Sequence, residues 1–338
     1  MRGLRRRAHG GLLARTAGVM VGVTVAISPA APASAGAIAH RPYPAVVNGH
    51  APALHPEGIA YDPTRRTFLV SSLRHGTVSV VHPDGSVRTL VSDPRMPSTV
   101  GLHVDAARGR ILVTYGDIGI SSHSEPDPAL RRTGLGIFDL RTGAALHVVP
   151  LADGTHTAND VTFDPAGNAY VTDSSGDAIW RVDPSGHGSV FVRDPRFASS
   201  SVGINGIVSH PGGYLLVGKY DTGQLFRVSI RGVPKVDEVR LDRPLVGVDG
   251  LALHRDGDLV AMTNDLSAPG AVDALTVLRV NANGHEARER GREPWPVPDP
   301  STVAGSPFGD YAVSGELGVL LGGGTSDTFT LRRANHTG

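Results

Sequence analysis

Residues 157–173 read TANDVTFDPAGNAYVTD. Asn159 and Asp160 stand directly before an alternating apolar run of the kind that forms a half-buried strand. The same arrangement, one anchor residue ahead of a short strand, recurs along the chain. Glu57 opens EGIAYDPTRRTFLVSS, Val100 opens VGLHVDAARGRILVTY and Asn205 opens NGIVSHPGGYLLVGK. Asp249 opens DGLALHRDGDLVAMTN and Ser301 opens STVAGSPFGDYAVSG. Four anchors, Glu57, Asn159, Asn205 and Asp249, carry side-chain oxygens with no cationic neighbour in the local sequence. Two carboxylates and two amides brought together make an all-oxygen donor set without His or Cys. That chemistry suits a divalent cation: Ca²⁺ first, with Mg²⁺, Mn²⁺ or Zn²⁺ as other occupants. Buried carboxylates must find a cation or take up protons, because an unpaired buried charge is costly. Taken singly, Asn205-Gly206 and Asp249-Gly250 read as turns and Glu57 as a surface charge. Their shared place in the repeat favours the metal.

The repeat also dictates the elements that must hold these residues. Successive anchors are 43, 59, 46, 44 and 52 residues apart, each unit reading as anchor, strand, turn, strand. A spacing of about 40–50 residues is that of a four-stranded propeller blade. Further strand pairs fall between the anchors, GTVSVVHPDGSVRTLV (76–91) and DAIWRVDPSGHGSVFV (177–192), turning at Asp84-Gly85 and Ser185-Gly186. The expected fold is therefore all-β: a six-bladed β-propeller of four-stranded blades around a central channel, occupying residues 51–331 as one domain. Innermost strands line such a channel, so the anchors would form a ring facing the axis. Residues 36–50 are expected to run across the surface or to complete the last blade as its outermost strand, and 332–338 to form a tail. Loops are expected at 117–134 in the second blade and at 266–274 and 284–300 in the fifth.

Residues 1–35 read as a secretory leader. Five arginines and no acid accompany the eleven-residue apolar run AGVMVGVTVAI, and Ala33-Ser34-Ala35 offers a small-residue cleavage site before Gly36. That run is too short to span a bilayer. The expectation is a secreted chain, not held in a membrane after cleavage, with Sec and Tat export both open and a monomer by default. Since the 338-residue chain carries 32 basic and 32 acidic side chains, the part after the leader has five more acids than bases. Nothing in that balance points to a nucleic-acid partner. Cysteine is absent, which excludes disulfides, thiol nucleophiles and thiolate zinc sites.

The series PEGIAYD, AND, INGI and VDGLAL resembles the senescence marker protein and gluconolactonase family, the regucalcin-like six-bladed propellers. The resemblance implies a divalent metal held by Glu57, Asn159, Asn205 and Asp249, and hydrolysis of a lactone or related ester as a small-molecule substrate. A ligated carboxylate could take a proton from the attacking water, which makes Asp249 the candidate general base, or else a ligand and nothing more. The family's sugar lactonases carry an arginine two residues before the Asn of the Asn-Asp motif, where this chain has Thr157; losing that bidentate donor argues against a gluconolactone-like substrate. Sugar hydroxyls could instead meet Thr157, His156 or His103. His103 reads as a channel proton shuttle or an ordinary strand histidine, and Asp160 as an orienting neighbour or a turn cap. Two other readings stand beside hydrolysis: a non-catalytic propeller that binds a ligand or protein, and a propeller lyase of the streptogramin-inactivating type.

Overall fold

The computed structural model describes residues 43–335 and the isolated Gly18. The expected leader, apart from Gly18, and the last three residues of the expected tail lie outside the described residues. Strand β1 (Val46–His50) comes first and pairs with nothing until the end of the chain. β2 (Ile59–Asp62), β3 (Thr67–Val70), β4 (Thr77–Val81) and β5 (Val87–Ser92) form an antiparallel sheet in that order. β6 (Ser98–Asp105), β7 (Arg110–Gly116), β8 (Arg132–Asp139) and β9 (Ala145–Asp153) form the next. A third comprises β10 (Ala158–Phe163), β11 (Ala169–Asp173), β12 (Ala178–Val182) and β13 (Gly188–Arg193).

β14 (Ile204–His210), β15 (Tyr214–Lys219), β16 (Leu225–Ser229) and β17 (Val236–Leu241) repeat the pattern. So do β18 (Val248–Leu253), β19 (Leu259–Thr263), β20 (Ala274–Val280) and β21 (Glu286–Pro294). β17 and β21 meet in parallel at Arg240–Glu286 and Leu241–Ala287, which joins these eight strands into one sheet. The final sheet contains β22 (Pro300–Ser306), β23 (Gly309–Ser314) and β24 (Thr328–Arg333), with β1 as its outermost strand and Val47 opposite Leu331.

The strands β2, β6, β10, β14, β18 and β22 touch one another in chain order, and β22 touches β2 again. The architecture is thus an all-β, propeller-like arrangement of four-stranded units around an axis. Apolar side chains fill the spaces between neighbouring sheets: Phe68, Val70, Tyr311, Phe329 and Leu331 pack together where the last sheet meets the first.

Two expectations are corrected. The charged segment 284–300 is largely the outer strand β21, in which Ala287 is buried while the charged residues are exposed or half-buried, as befits a strand at a blade's rim. The tail expected at 332–338 starts later, because Arg332 and Arg333 complete the β24 ladder and Ala334 packs beside Trp295. A short helix, α1 (Leu317–Leu321), between β23 and β24 was not anticipated.

Candidate functional site

Five of the six anchors are placed by a local irregularity that their inner strands repeat; β2, after Glu57, pairs with β3 in unbroken register. Ladder pairing skips between Thr99 and Leu102, Ala158 and Val161, Ile204 and Ile207, Val248 and Leu251, and Pro300 and Val303. Val100-Gly101, Asn159-Asp160, Asn205-Gly206, Asp249-Gly250 and Ser301-Thr302 therefore sit in β-bulges, which re-aim side chains beside functional sites. Glycine follows the anchor wherever the next strand comes closest. A Cβ on Gly58 would strike the Val100 carbonyl oxygen, one on Gly101 Asp160, one on Gly206 the Asp249 carbonyl oxygen, and one on Gly250 the Thr302 backbone.

Hydroxyl groups tie three of the anchors to the preceding unit. Thr114 Oγ1 donates to the Asn159 carbonyl at 2.5 Å, Thr172 Oγ1 to that of Asn205 at 2.7 Å, and Ser301 Oγ to that of Glu57 at 2.6 Å. The last of these bonds closes the circle between the final unit and the first.

Within this ring Glu57, Asn205 and Asp249 are buried and Asn159 is half-buried. Burial first, then the negative charges of Asp249 and Asp160, push the Glu57 carboxyl well above the usual range. Burial pushes Asp249 up to about 7, with the Asp160 charge adding to it and hydrogen bonds from Asn264 and Asn205 opposing. Asp160 is likewise pushed up to about 7 by burial. The charged groups that act on Glu57 and Asp249 are all acids. Two buried oxygens, Glu57 Oε2 and Asn159 Oδ1, have no hydrogen-bond partner. A divalent cation would satisfy both orphaned oxygens and the excess negative charge, so the donor set fits one. Among the described residues no group of three or more His, Asp and Glu is arranged to hold a metal; this set is two carboxylates and two amides. Asp160 contributes charge, yet its oxygens accept the backbone N–H groups of Val161 (2.8 Å) and Ile207 (3.1 Å), clamping β10 to β14.

Sequence reasoning missed the residues that orient Asp249. Asn264, just beyond β19, donates through Nδ2 to Asp249 Oδ2 at 2.6 Å and to the Pro300 carbonyl at 2.9 Å. Its Oδ1 accepts the Tyr220 hydroxyl at 2.6 Å, and that hydroxyl accepts the Ser267 N–H. The available signal was that Asn264 ends a second strand at the position Ser71-Ser72 and Asp173-Ser174 occupy in other repeats.

His103 and Thr157 lie apart from the ring. His103 packs against Phe163 in a cavity of about 460 Å³ around the opposite stretch of the inner strands, which Asp160 also lines. Burial lowers the His103 imidazole to about 4, opposed by the charge of Asp105, so it is neutral at pH 7, and its Nδ1 has no partner. Thr157 bonds Ser175 Oγ at 2.9 Å on the rim. Beside it His156 Nδ1 meets the buried Asp173 carboxylate at 2.5 Å.

The ring itself is covered. The loops that follow the second strands, antiparallel to the inner ones, emerge at the end where the inner strands begin. Leu73, Ile120, Leu266 and the α1 residues Leu317 and Leu320 come from these loops and pack on the anchor Val100. The cavity around His103 thus lies on the far side of the anchors, and an apolar cluster lies on the near side.

No protein-family model matches the sequence, and no curated protein matches it. Solved structures do. The Malassezia sympodialis allergen Mala s 1 aligns over 87% of this chain and 99% of its own, with TM-score 0.67 and 18% identity. A gluconolactonase from Xanthomonas campestris aligns over 85% of this chain and 88% of its own (TM-score 0.57, 17% identity). Regucalcin from Agrobacterium tumefaciens, described as a calcium-binding protein, aligns over 84% and 93% (TM-score 0.56, 17% identity). Streptogramin B lyase shares the fold as well. At these identities the likeness is one of fold.

Proposed function

We propose that this chain is a secreted, metal-dependent hydrolase of a lactone or related ester, built as a six-bladed propeller in which the eight-stranded sheet is two blades joined at their rims. The observation that carries the reading is the pair of orphaned oxygens, Glu57 Oε2 and Asn159 Oδ1, at the same repeat position as Asn205 and Asp249. Glu57, Asn159, Asn205 and Asp249 would hold the ion, calcium by preference, which when bound supplies polarisation of the substrate carbonyl. Asp249, oriented by Asn264, takes a proton from the attacking water. The water oxygen bonds to the carbonyl carbon, the ring C–O bond breaks, and the proton passes to the departing alkoxide to give a hydroxy acid.

Lactonase and arylesterase assays with and without chelator test this. Activity should vanish on chelation, return with Ca²⁺, and fall about 100-fold or more in Asp249→Asn. Activity indifferent to both changes would refute the mechanism. Absence of activity on every lactone and ester would leave the non-catalytic binding propeller, which the covering of the ring favours.

A further inference from the structure

The proposed reaction leaves the covering of the ring unexplained. Val100 occupies an anchor position, where its neighbours in the repeat present oxygen donors. It is buried under Leu73, Leu317 and Leu320, with Ile120 and Leu266 at the margin. More apolar surface continues outward on the same loops, where Ile118, Val272, Val319 and Leu321 are exposed. The group facing a substrate at this end of the channel is thus hydrocarbon, and Thr157, tied to Ser175, offers one hydroxyl on the rim.

The cover is also built to yield. Five non-glycine residues among those described have positive φ, and three of them, His55, Asp299 and Glu316, adjoin α1. Such clusters of backbone strain mark clamps and switch regions. Gly315 precedes the helix, and Gly322, Gly323 and Gly324 follow it. Two polar contacts hold it shut. The Gly318 N–H donates to Asp299 Oδ2 at 2.8 Å. The His55 ring spans the excursion, with Nδ1 3.1 Å from the Gly315 and Glu316 carbonyl oxygens and Nε2 accepting the Ser326 N–H at 3.0 Å.

We propose that the ring serves lactones or esters carrying a hydrocarbon substituent rather than polyhydroxylated ones, and that α1 swings aside so the substituent packs on Leu73, Val100, Leu317 and Leu320. This rests on the hydrolase reading above. Burial of alkyl carbon raises kcat/KM about fourfold per methylene until the space is filled.

The test compares γ-lactones of increasing alkyl length, unsubstituted γ-butyrolactone and a sugar lactone. The proposal expects kcat/KM to climb with chain length and the sugar lactone to be the poorest. In Leu320→Asn the ratio of long-chain to unsubstituted kcat/KM should drop at least tenfold, while Leu320→Met retains it. A flat chain-length series, or preference for the sugar lactone, overturns the proposal. Binding of inert alkyl lactams to the calcium-loaded and chelated protein separates the two readings. If no lactone is hydrolysed, affinity that rises with chain length and falls in Leu320→Asn still upholds the apolar site, and length-independent affinity removes it.

Discussion

At the scale of single residues, the three channel carboxylates combine burial with mutual repulsion. With no ion bound, the folded chain holds protons on Asp249 and Asp160 up to about pH 7, whereas an unfolded carboxylate releases them near pH 4. Folded protein therefore binds more protons than unfolded protein across that interval, and these groups make stability fall as pH rises through it. Thermal melts of chelated wild type and chelated Asp249→Asn, compared from pH 4 to pH 8, isolate the effect from surface carboxylates. The variant should gain on wild type as pH rises, and saturating Ca²⁺ should raise the Tm of wild type more at pH 8 than at pH 5. A constant difference across the range would contradict this account. Asp249 also shows how a hydrogen-bond chain, Tyr220 to Asn264 to carboxylate, fixes one buried oxygen.

At the scale of elements, the bulge is the device that matters, and glycine is what lets neighbouring bulges nest. Gly206→Ala would drive its Cβ into the Asp249 carbonyl oxygen, and a backbone atom has little freedom to retreat. A loss of about 1–3 kcal/mol is expected in denaturant unfolding, together with weaker Ca²⁺ binding. Gly291→Ala, in β21 with nothing within 4 Å of the added carbon, should be neutral or slightly stabilising. The repeated features were legible in the sequence because each inner strand restates the same anchor, so Glu57, Asn159, Asn205 and Asp249 could be aligned without coordinates. Features that occur once could not be read this way. Helix α1 lies in a loop with no counterpart in the other units, and Asn264 puts at a shared repeat position a side chain that the other repeats do not carry there. Alternation places His103 on the channel side, where it lines the cavity between the inner strands, but says nothing about which end of the channel it faces.

At the scale of the whole molecule, closure depends on β1. Its Val47 is buried against Phe329 and Leu331, and Tyr43 just before it stacks with Phe308 and lies edge-on to Phe68 and Tyr311, bridging the first and last sheets. Val47→Asp places an unpaired carboxylate in that seam and should cost about 3 kcal/mol or more, whereas Val46→Asp on the exposed face of the same strand should change stability by about 0.5 kcal/mol or less. Calorimetry on the two variants checks the contrast, and equal effects would mean that β1 is a loose appendage.

The pairing of β1 with β24 has a consequence for synthesis. Among the described residues β1 precedes every other strand and waits for β24, so the last sheet cannot assemble on the ribosome until β24 has left the exit tunnel. Until then the edge of β1 stays unsatisfied and the apolar face of Val47 stays uncovered.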